Sequence, residues 1–405
     1  MMNNDAKTSD EIEEYKKNII GNIQLLIDQG FLQEAKNVLD EYEKVVKEDI
    51  EIYSARGIIS IMEGNADEAE SILNKGLLKD SNNADLLYNI AYLYREMGKI
   101  SNCLYFYKKL YYFTEDIKTK TTLKKEIIEL GGDLKIKVLV GSPIHQKPMI
   151  LKEFLQSLKE VSTENLELDY FFVDDNEIQE SSDLLINFSD IMGNVFIHKA
   201  EKKDKYYCDN NTHYWREDLI WKVADFKNII INYAINNKYD YLFLVDSDLI
   251  INPFTIKHLI NTGKDIISEI FWTNWQPNSP KLPQVWLKDT YTQYDIKRGE
   301  KISNVEMIRR HNNFINKLKN PGVYNVGGLG ACTLISKYAL DKGVNFNEIY
   351  NLSFWGEDRH FCIRAASLGI PLYVDTNYPS YHIYREEDLK GVMNYKTINA
   401  KNRQR

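Results

Sequence analysis

The sequence predicts two joined architectures, an all-α repeat domain in the first third and an α/β domain in the remainder. Three observations predict it. Glycines recur at a 34-residue spacing, Gly30, Gly64 and Gly98. After Gly131-Gly132 the helical periodicity gives way to short β-rich runs separated by helices. One of those runs ends in Asp246-Ser247-Asp248, carboxylates at the place where open α/β sheets bind ligands.

Within the first third, each periodic glycine ends a helix, and five residues later come Ala35, Ala69 and Cys103. Small side chains there let two helices approach, while Leu39, Leu73 and Tyr107 follow one turn later as the larger packing groups. The period and the small positions resemble the tetratricopeptide repeat, in three copies over about residues 16 to 117. Two departures stand out: Ile23 takes the small position that Gly57 and Ala91 hold in the next copies, and the proline common at the end of that repeat is missing. A further helix over 118–130, with Leu123, Ile127 and Leu130 on one side, reads as a cap. The tetratricopeptide-like domain is thus 16–132, after a polar segment over 1–15. Such a stack binds a protein or peptide on its concave face, dimerises, or is structural.

In the remainder, 135–140 is a strand candidate followed by Gly141-Ser142-Pro143, and 168–173 a second, followed by Asp174-Asp175-Asn176. An amphipathic helix with Met149, Ile150, Phe154, Leu155 and Leu158 lies between them, which makes a βαβ unit. A long helix over 216–236 leads to the strand 241–245 and then to Asp246-Ser247-Asp248. Two carboxylates at i and i+2 point into one cavity when the chain leaves the sheet, and paired hard oxygen ligands suit Mg²⁺ or Mn²⁺ beside a diphosphate. Taken alone, the triplet also fits a turn or a helix cap.

The stretch 223–234 followed by 238–248 resembles the approach to the metal site in glycosyltransferases of the GT-A fold. Tyr324-Asn325-Val326-Gly327-Gly328-Leu329-Gly330, then Phe354-Trp355-Gly356-Glu357-Asp358-Arg359-His360, then Tyr381-His382 follow in the order and spacing of that superfamily, over about 134–385. The resemblance implies a Rossmann-like GT-A catalytic domain that transfers a sugar from a nucleotide diphosphate, UDP or GDP, with Mn²⁺ or Mg²⁺. It implies that Asp248 contacts the metal, that Asp246 lies nearer the ribose or a metal-bound water, and that His382 is a third ligand. Glu357 and Asp358 resemble the acidic pair that supplies the general base in inverting members, Asp358 first. Ser142, Pro143, Ile144 and Asp174, at the early strand ends, match the regions that hold base and ribose. Lys227 matches a frequent basic contact to the nucleotide, and Ser247 belongs to the same donor site.

Gly327, Gly328 and Gly330 allow close backbone approach to a sugar or acceptor. Trp272, Trp275 and Trp286, with Gln284, form a local aromatic cluster on which sugar rings stack, and Trp355 joins this set of acceptor or sugar contacts. Plainer roles compete with each: a turn for the glycines, core packing for the tryptophans, a buried strand position for His382, an exposed helix face for Lys227. Acids are also favoured at a helix N-terminus whatever their function, which is the plainer role for Glu357 and Asp358.

The net charge of −8 excludes a general nucleic-acid binder. It is uneven, with 24 acidic against 17 basic residues through Gly132 and 35 against 34 beyond. No run approaches the roughly 18 apolar residues of a membrane span, and Met1–Tyr15 lacks the pattern of a secretory leader, so a cytoplasmic protein is expected. Cys103, Cys208, Cys332 and Cys362 form no C-x-x-C pair and are expected to pack. The acceptor stays open among polypeptide, polysaccharide, lipid-linked and small molecules, the fused repeats pointing toward a polypeptide or a protein-tethered glycan. Two rivals share parts of the pattern: a sugar nucleotidyltransferase, which would need a glycine-rich, lysine-bearing phosphate loop not found here, and a repeat-based adaptor with an inactive α/β part. Residues 386–405 read as a polar, basic tail.

Overall fold

The computed structural model describes residues 9–201, 216–276, 279–288, 290–353 and 356–402. The chain divides into two compact units, Met1–Leu134 and Lys135–Arg405.

Among the described residues the first unit comprises seven helices: α1 (Ser9–Asp28), α2 (Leu32–Val45), α3 (Ile50–Met62), α4 (Ala66–Lys79), α5 (Ala84–Glu96), α6 (Ile100–Phe113) and α7 (Ile117–Glu129). Gly30, Gly64 and Gly98 sit between the first and second helix of each pair with φ of 80°, 79° and 69°. An L side chain is disfavoured there, so glycine stops the helix and starts the return. Behind each turn Ala35, Ala69 and Cys103 are fully buried, as are Leu39, Leu73 and Tyr107 one turn on. A Cβ on Gly57 would collide with Leu73 Cδ2, so the missing side chain is what brings α3 and α4 together. Leu123 and Ile127 of α7 are buried on its inner side.

The second unit is a mixed α/β fold. Its elements are β1 (Ile136–Ile144), α8 (Pro148–Lys159), β2 (Leu166–Asp174), α9 (Gln179–Met192), β3 (Val195–Lys199), α10 (Glu217–Asn236), β4 (Tyr241–Leu244), β5 (Leu249–Ile250) and α11 (Thr255–Asn261). β6 (Ile266–Thr273), β7 (Leu282–Pro283), α12 (Asn304–Leu318), β8 (Val323–Val326), β9 (Thr333–Ser336), α13 (Lys337–Asp341), α14 (Glu357–Ser367), β10 (Leu372–His382) and α15 (Leu389–Asn402) complete it. The strand order is β3-β2-β1-β4-β9-β6-β10-β5, with β7 beside β6 and β8 beside β10. β3, β2, β1 and β4 are parallel, β9 is antiparallel to both β4 and β6, and β10 returns parallel to β6. The core lies between the sheet and α10, α13 and α14, around Leu139, Ile230, Leu242, Ile335 and Phe361.

Two boundaries depart from the sequence reading. Ser142, Pro143 and Ile144, expected in a loop, are the last residues of β1 and pair with Phe172, Val173 and Asp174 of β2. Pro143 is tolerated because the Gly141 carbonyl, two residues earlier, takes the Val245 N–H on the β4 side, where β4 has already ended at Leu244. The missing proline N–H therefore faces a side without a strand to bond. At the other end, most of the expected tail is α15, because Leu389, Val392 and Tyr395 recur at helical spacing and pack with Ile150, Ile250, Tyr381 and Ile383.

Cys332 and Cys362 are buried and free, as is Cys103 in the first unit, and Cys208 lies outside the described residues. No described helix is long and apolar enough to cross a membrane.

Candidate active site

Past Leu244 the chain leaves the sheet, and the Leu249 N–H closes a turn on the Asp246 carbonyl. β5 then pairs antiparallel with the end of β10, setting Leu249 opposite His382, and the Ile383 N–H bonds the Asp248 carbonyl. This register carries His382 to the triplet from 134 residues away. His382 Nε2 stands 3.4 Å from Asp248 Oδ2. Its other nitrogen, Nδ1, is 2.7 Å from Thr273 Oγ1, a contact that orients the ring from the far side.

Asp246 turns toward a different group of side chains. It lines a small cavity with Pro143, Lys227, Gly330 and Asp358, with about 10 Å³ of room for a water centre. That is about one water molecule, so the cavity is the floor of a site and not a place for a nucleotide. Burial pushes the Asp246 carboxyl up to about 6, Lys227 pulling against it and Asp248 adding to it.

Glu357 and Asp358 open α14, where the first-turn amides favour carboxylates. Gly356 precedes them with φ of 100°, and a Cβ on it would meet the Tyr291 hydroxyl at 2.9 Å, so only glycine makes this entry into the helix. From α10, Lys227 Nζ reaches Glu357 Oε1 at 2.8 Å and Asp358 Oδ1 at 2.9 Å. The lysine is 5% exposed and lies over the Phe346 ring. Burial alone would lower its pKa, but Asp358, Glu357 and Asp246 outweigh burial and hold it charged. Asp358 is pushed up to about 7 by burial, with Lys227 opposing and Glu357 reinforcing. Lys227 occupies Asp358 Oδ1, whereas Oδ2 lies beside Gly330, where a Cβ would come within 3.3 Å. The glycine keeps that oxygen approachable.

The structure thus gathers Pro143, Lys227, Asp246, Asp248, Glu357, Asp358 and His382. Trp275 joins them: it is 40% exposed, with ring centroids 6.5 Å from His382 and 5.5 Å from Tyr384. Other expected site residues lie elsewhere. Ser142, Ile144 and Ser247 are buried in or beside the sheet. Asp174 is buried, its Oδ1 accepting from Asn176 N, Asn176 Nδ2 and Ser182 Oγ, so it shapes the loop after β2. Gln284 is committed to β6, accepting from Phe271 N and donating to Ser268 Oγ and the Glu269 carbonyl.

Trp286 is a core residue, and Gly327 and Gly328 serve it: the Trp286 carbonyl takes both glycine N–H groups, and a Cβ on Gly328 would strike the indole. The close approach anticipated at these glycines is made by the protein itself, by the Leu287 carbonyl at Gly327 and the Trp286 indole at Gly328. Trp355 lies outside the described residues. Lys227, expected on the nucleotide, is held instead by two carboxylates, a partnership 130 residues apart that no local spacing signals. Thr273 was also unforeseen, since a lone threonine at a strand end has no sequence signature.

Among the described residues no three His, Cys, Asp or Glu side chains converge as a ready metal cluster. Asp248 Oδ2 and His382 Nε2 nevertheless suit adjacent ligands of one ion. Two donors bound at about 2.1 Å in octahedral geometry stand about 3 Å apart, close to the separation observed. The Thr273 contact to Nδ1 leaves Nε2 as the outward nitrogen.

No protein-family model matches this chain, and no curated protein matches it. Among solved structures, S. aureus TarS 1-349 aligns at 17% identity with a TM-score of 0.38, over 65% of this chain and 65% of that one. S. aureus TarS aligns at 16% identity and a TM-score of 0.38 over 64% of this chain and 38% of that one. S. aureus TarS 1-349 in complex with UDP aligns at 16% identity, with a TM-score of 0.38 and 65% of each chain. This chain therefore spans less than two thirds of each of these structures.

Proposed function

We propose that this chain is a glycosyltransferase that moves a sugar from a UDP- or GDP-sugar to an acceptor, with inversion and with Mn²⁺ or Mg²⁺. The observation that carries the reading is the division of labour around one turn. Asp248 and His382 form a ligand pair on one side of it, and Asp358 stands as a separate carboxylate on the other, with Asp246 between. An inverting displacement needs a base distinct from the groups that hold the leaving diphosphate, and Asp358, in the first turn of α14, stands apart from Asp248 and His382 at the strand ends.

Asp248 and His382 would hold the divalent ion, with substrate oxygens completing its shell. When bound, the ion neutralises charge on the departing diphosphate. The chain's own residues do the rest. Asp358 Oδ2 accepts the proton of the acceptor hydroxyl as the new glycosidic bond forms. Lys227 fixes Oδ1 and so aims Oδ2 over Gly330. A carboxyl held near 7 is poised to take that proton at neutral pH. Trp275 offers an exposed face to a sugar ring beside the ligand pair.

The test is incubation of the full chain with UDP- and GDP-sugars and Mn²⁺. Release of free sugar and nucleoside diphosphate, slow without an acceptor, is expected. Exchange of pyrophosphate into the donor would instead identify a nucleotidyltransferase, and no turnover or nucleotide binding would overturn the catalytic reading.

A further inference from the structure

We infer that a groove running away from His382 toward the C-terminal helix is a carbohydrate-binding subsite beside the reacting centre and that it takes an uncharged saccharide chain. The inference rests on the transferase reading above and adds a subsite to it: Asp358 does not line the groove, so the groove would hold a part of a glycan remote from the reacting hydroxyl. The groove encloses about 320 Å³, at the lower end of small-ligand pockets. Thr273 and His382 belong to its wall, so it begins at the side chains that would bind the donor's metal.

Two features of the lining select the ligand. Aromatic rings from three separate segments line it, Trp272 from β6, Tyr378 and Tyr384 from β10 and just beyond, and Tyr395 from α15. Such rings stack against the C–H faces of sugars. Between them stand the amides of Asn252, Asn274, Asn377 and Asn399. Asn377 donates from Nδ2 to Asp375 Oδ2, and Asn274 donates from Nδ2 to the Ser279 carbonyl, which leaves their carbonyl oxygens for hydroxyl donors.

Charge is sparse. Among the described residues the Lys, Arg, Asp and Glu side chains lining the groove are Lys281 and Asp388, and Asp388 Oδ2 already accepts the Arg385 N–H. A polyanion would require clustered cations, and a lipid chain would leave the amides without partners. A polyhydroxylated, uncharged chain matches both faces. Arg385 ties the rim together, donating to the Asn274 and Trp275 carbonyls while lying over Tyr384.

The test measures binding of maltotetraose, cellotetraose and chitotetraose to the full chain by saturation-transfer NMR, alongside calorimetry of UDP with Mn²⁺. At least one tetrasaccharide should bind at millimolar concentration, and Tyr384→Ala and Asn399→Ala should each weaken it about tenfold while Tyr384→Phe retains it. Melting midpoints of the variants check that the fold persists. If none of the three binds the unaltered protein, or if both alanine variants bind as tightly, the groove is not a saccharide site. UDP binding without saccharide binding overturns this inference and leaves the transferase reading standing. Saccharide binding without any nucleotide binding keeps the groove as a sugar site and overturns the transferase reading.

Discussion

Lys227 and Asp358 show how a single buried cation sets the chemistry of its neighbours. The lysine holds one oxygen of Asp358 and lowers the cost of keeping two adjacent carboxylates in the interior. Asp358→Asn should leave nucleotide affinity intact and reduce turnover about 100- to 10,000-fold, the range of a lost general base, as kcat and calorimetry will show. Because the base must be ionised and its carboxyl is pushed up to about 7, kcat/KM should fall as pH drops below that value. Lys227→Met removes the cation that favours the carboxylate, so the same limb should move to higher pH. It should also destabilise the fold by about 3 kcal/mol in urea titration, because the paired charges lose their partner. Asp248→Asn should abolish Mn²⁺-dependent UDP binding without lowering the melting midpoint; unchanged calorimetric affinity would remove Asp248 from the metal. The sequence order and motif types put Asp248 just past a strand and Asp358 at a helix start, which is where the structure has them. The role of Lys227 was not legible, since its partners come from a helix 130 residues away.

At the scale of elements, placement depends on where strands end and on one helix entry. The β4 strand stops at Leu244, which frees the Asp246–Asp248 turn and also lets β1 run on through Pro143. A glycine-serine-proline run signals a loop in sequence, and the parallel pairing with β2 overrides that local preference. Periodic apolar residues marked α8 and α10 correctly, yet the same signal in Leu389, Val392 and Tyr395 was hidden by a polar surrounding stretch. The Gly356 entry into α14 is the most exacting of these features. Gly356→Ala should place a Cβ against the Tyr291 hydroxyl in a backbone region that L residues avoid, costing about 1–3 kcal/mol. Since that entry also aims Asp358, turnover should fall more than the drop in melting midpoint alone accounts for. A variant with full activity would show that α14 tolerates another entry.

At the scale of the molecule, the two units were legible to different degrees because their contacts have different ranges. Repeat helices pack on neighbours a few tens of residues away, so a 34-residue period exposes the helical unit directly. The mixed sheet joins β4 to β9 and β6 to β10, pairings about 90 to 110 residues apart that carry no local mark. All the side chains of the candidate site and of the saccharide groove belong to the second unit, which has its own sheet and core. A chain beginning at Lys135 should therefore unfold in one cooperative thermal transition and bind UDP with Mn²⁺ within about threefold of the full chain, since a missing unit that contributes no ligand changes the binding free energy by less than about 0.7 kcal/mol. Calorimetry on both chains measures this directly. A shortened chain that keeps its near- and far-ultraviolet dichroism but loses nucleotide affinity would mean that the helical repeats complete the donor site, and the catalytic assignment would then have to include residues before Lys135.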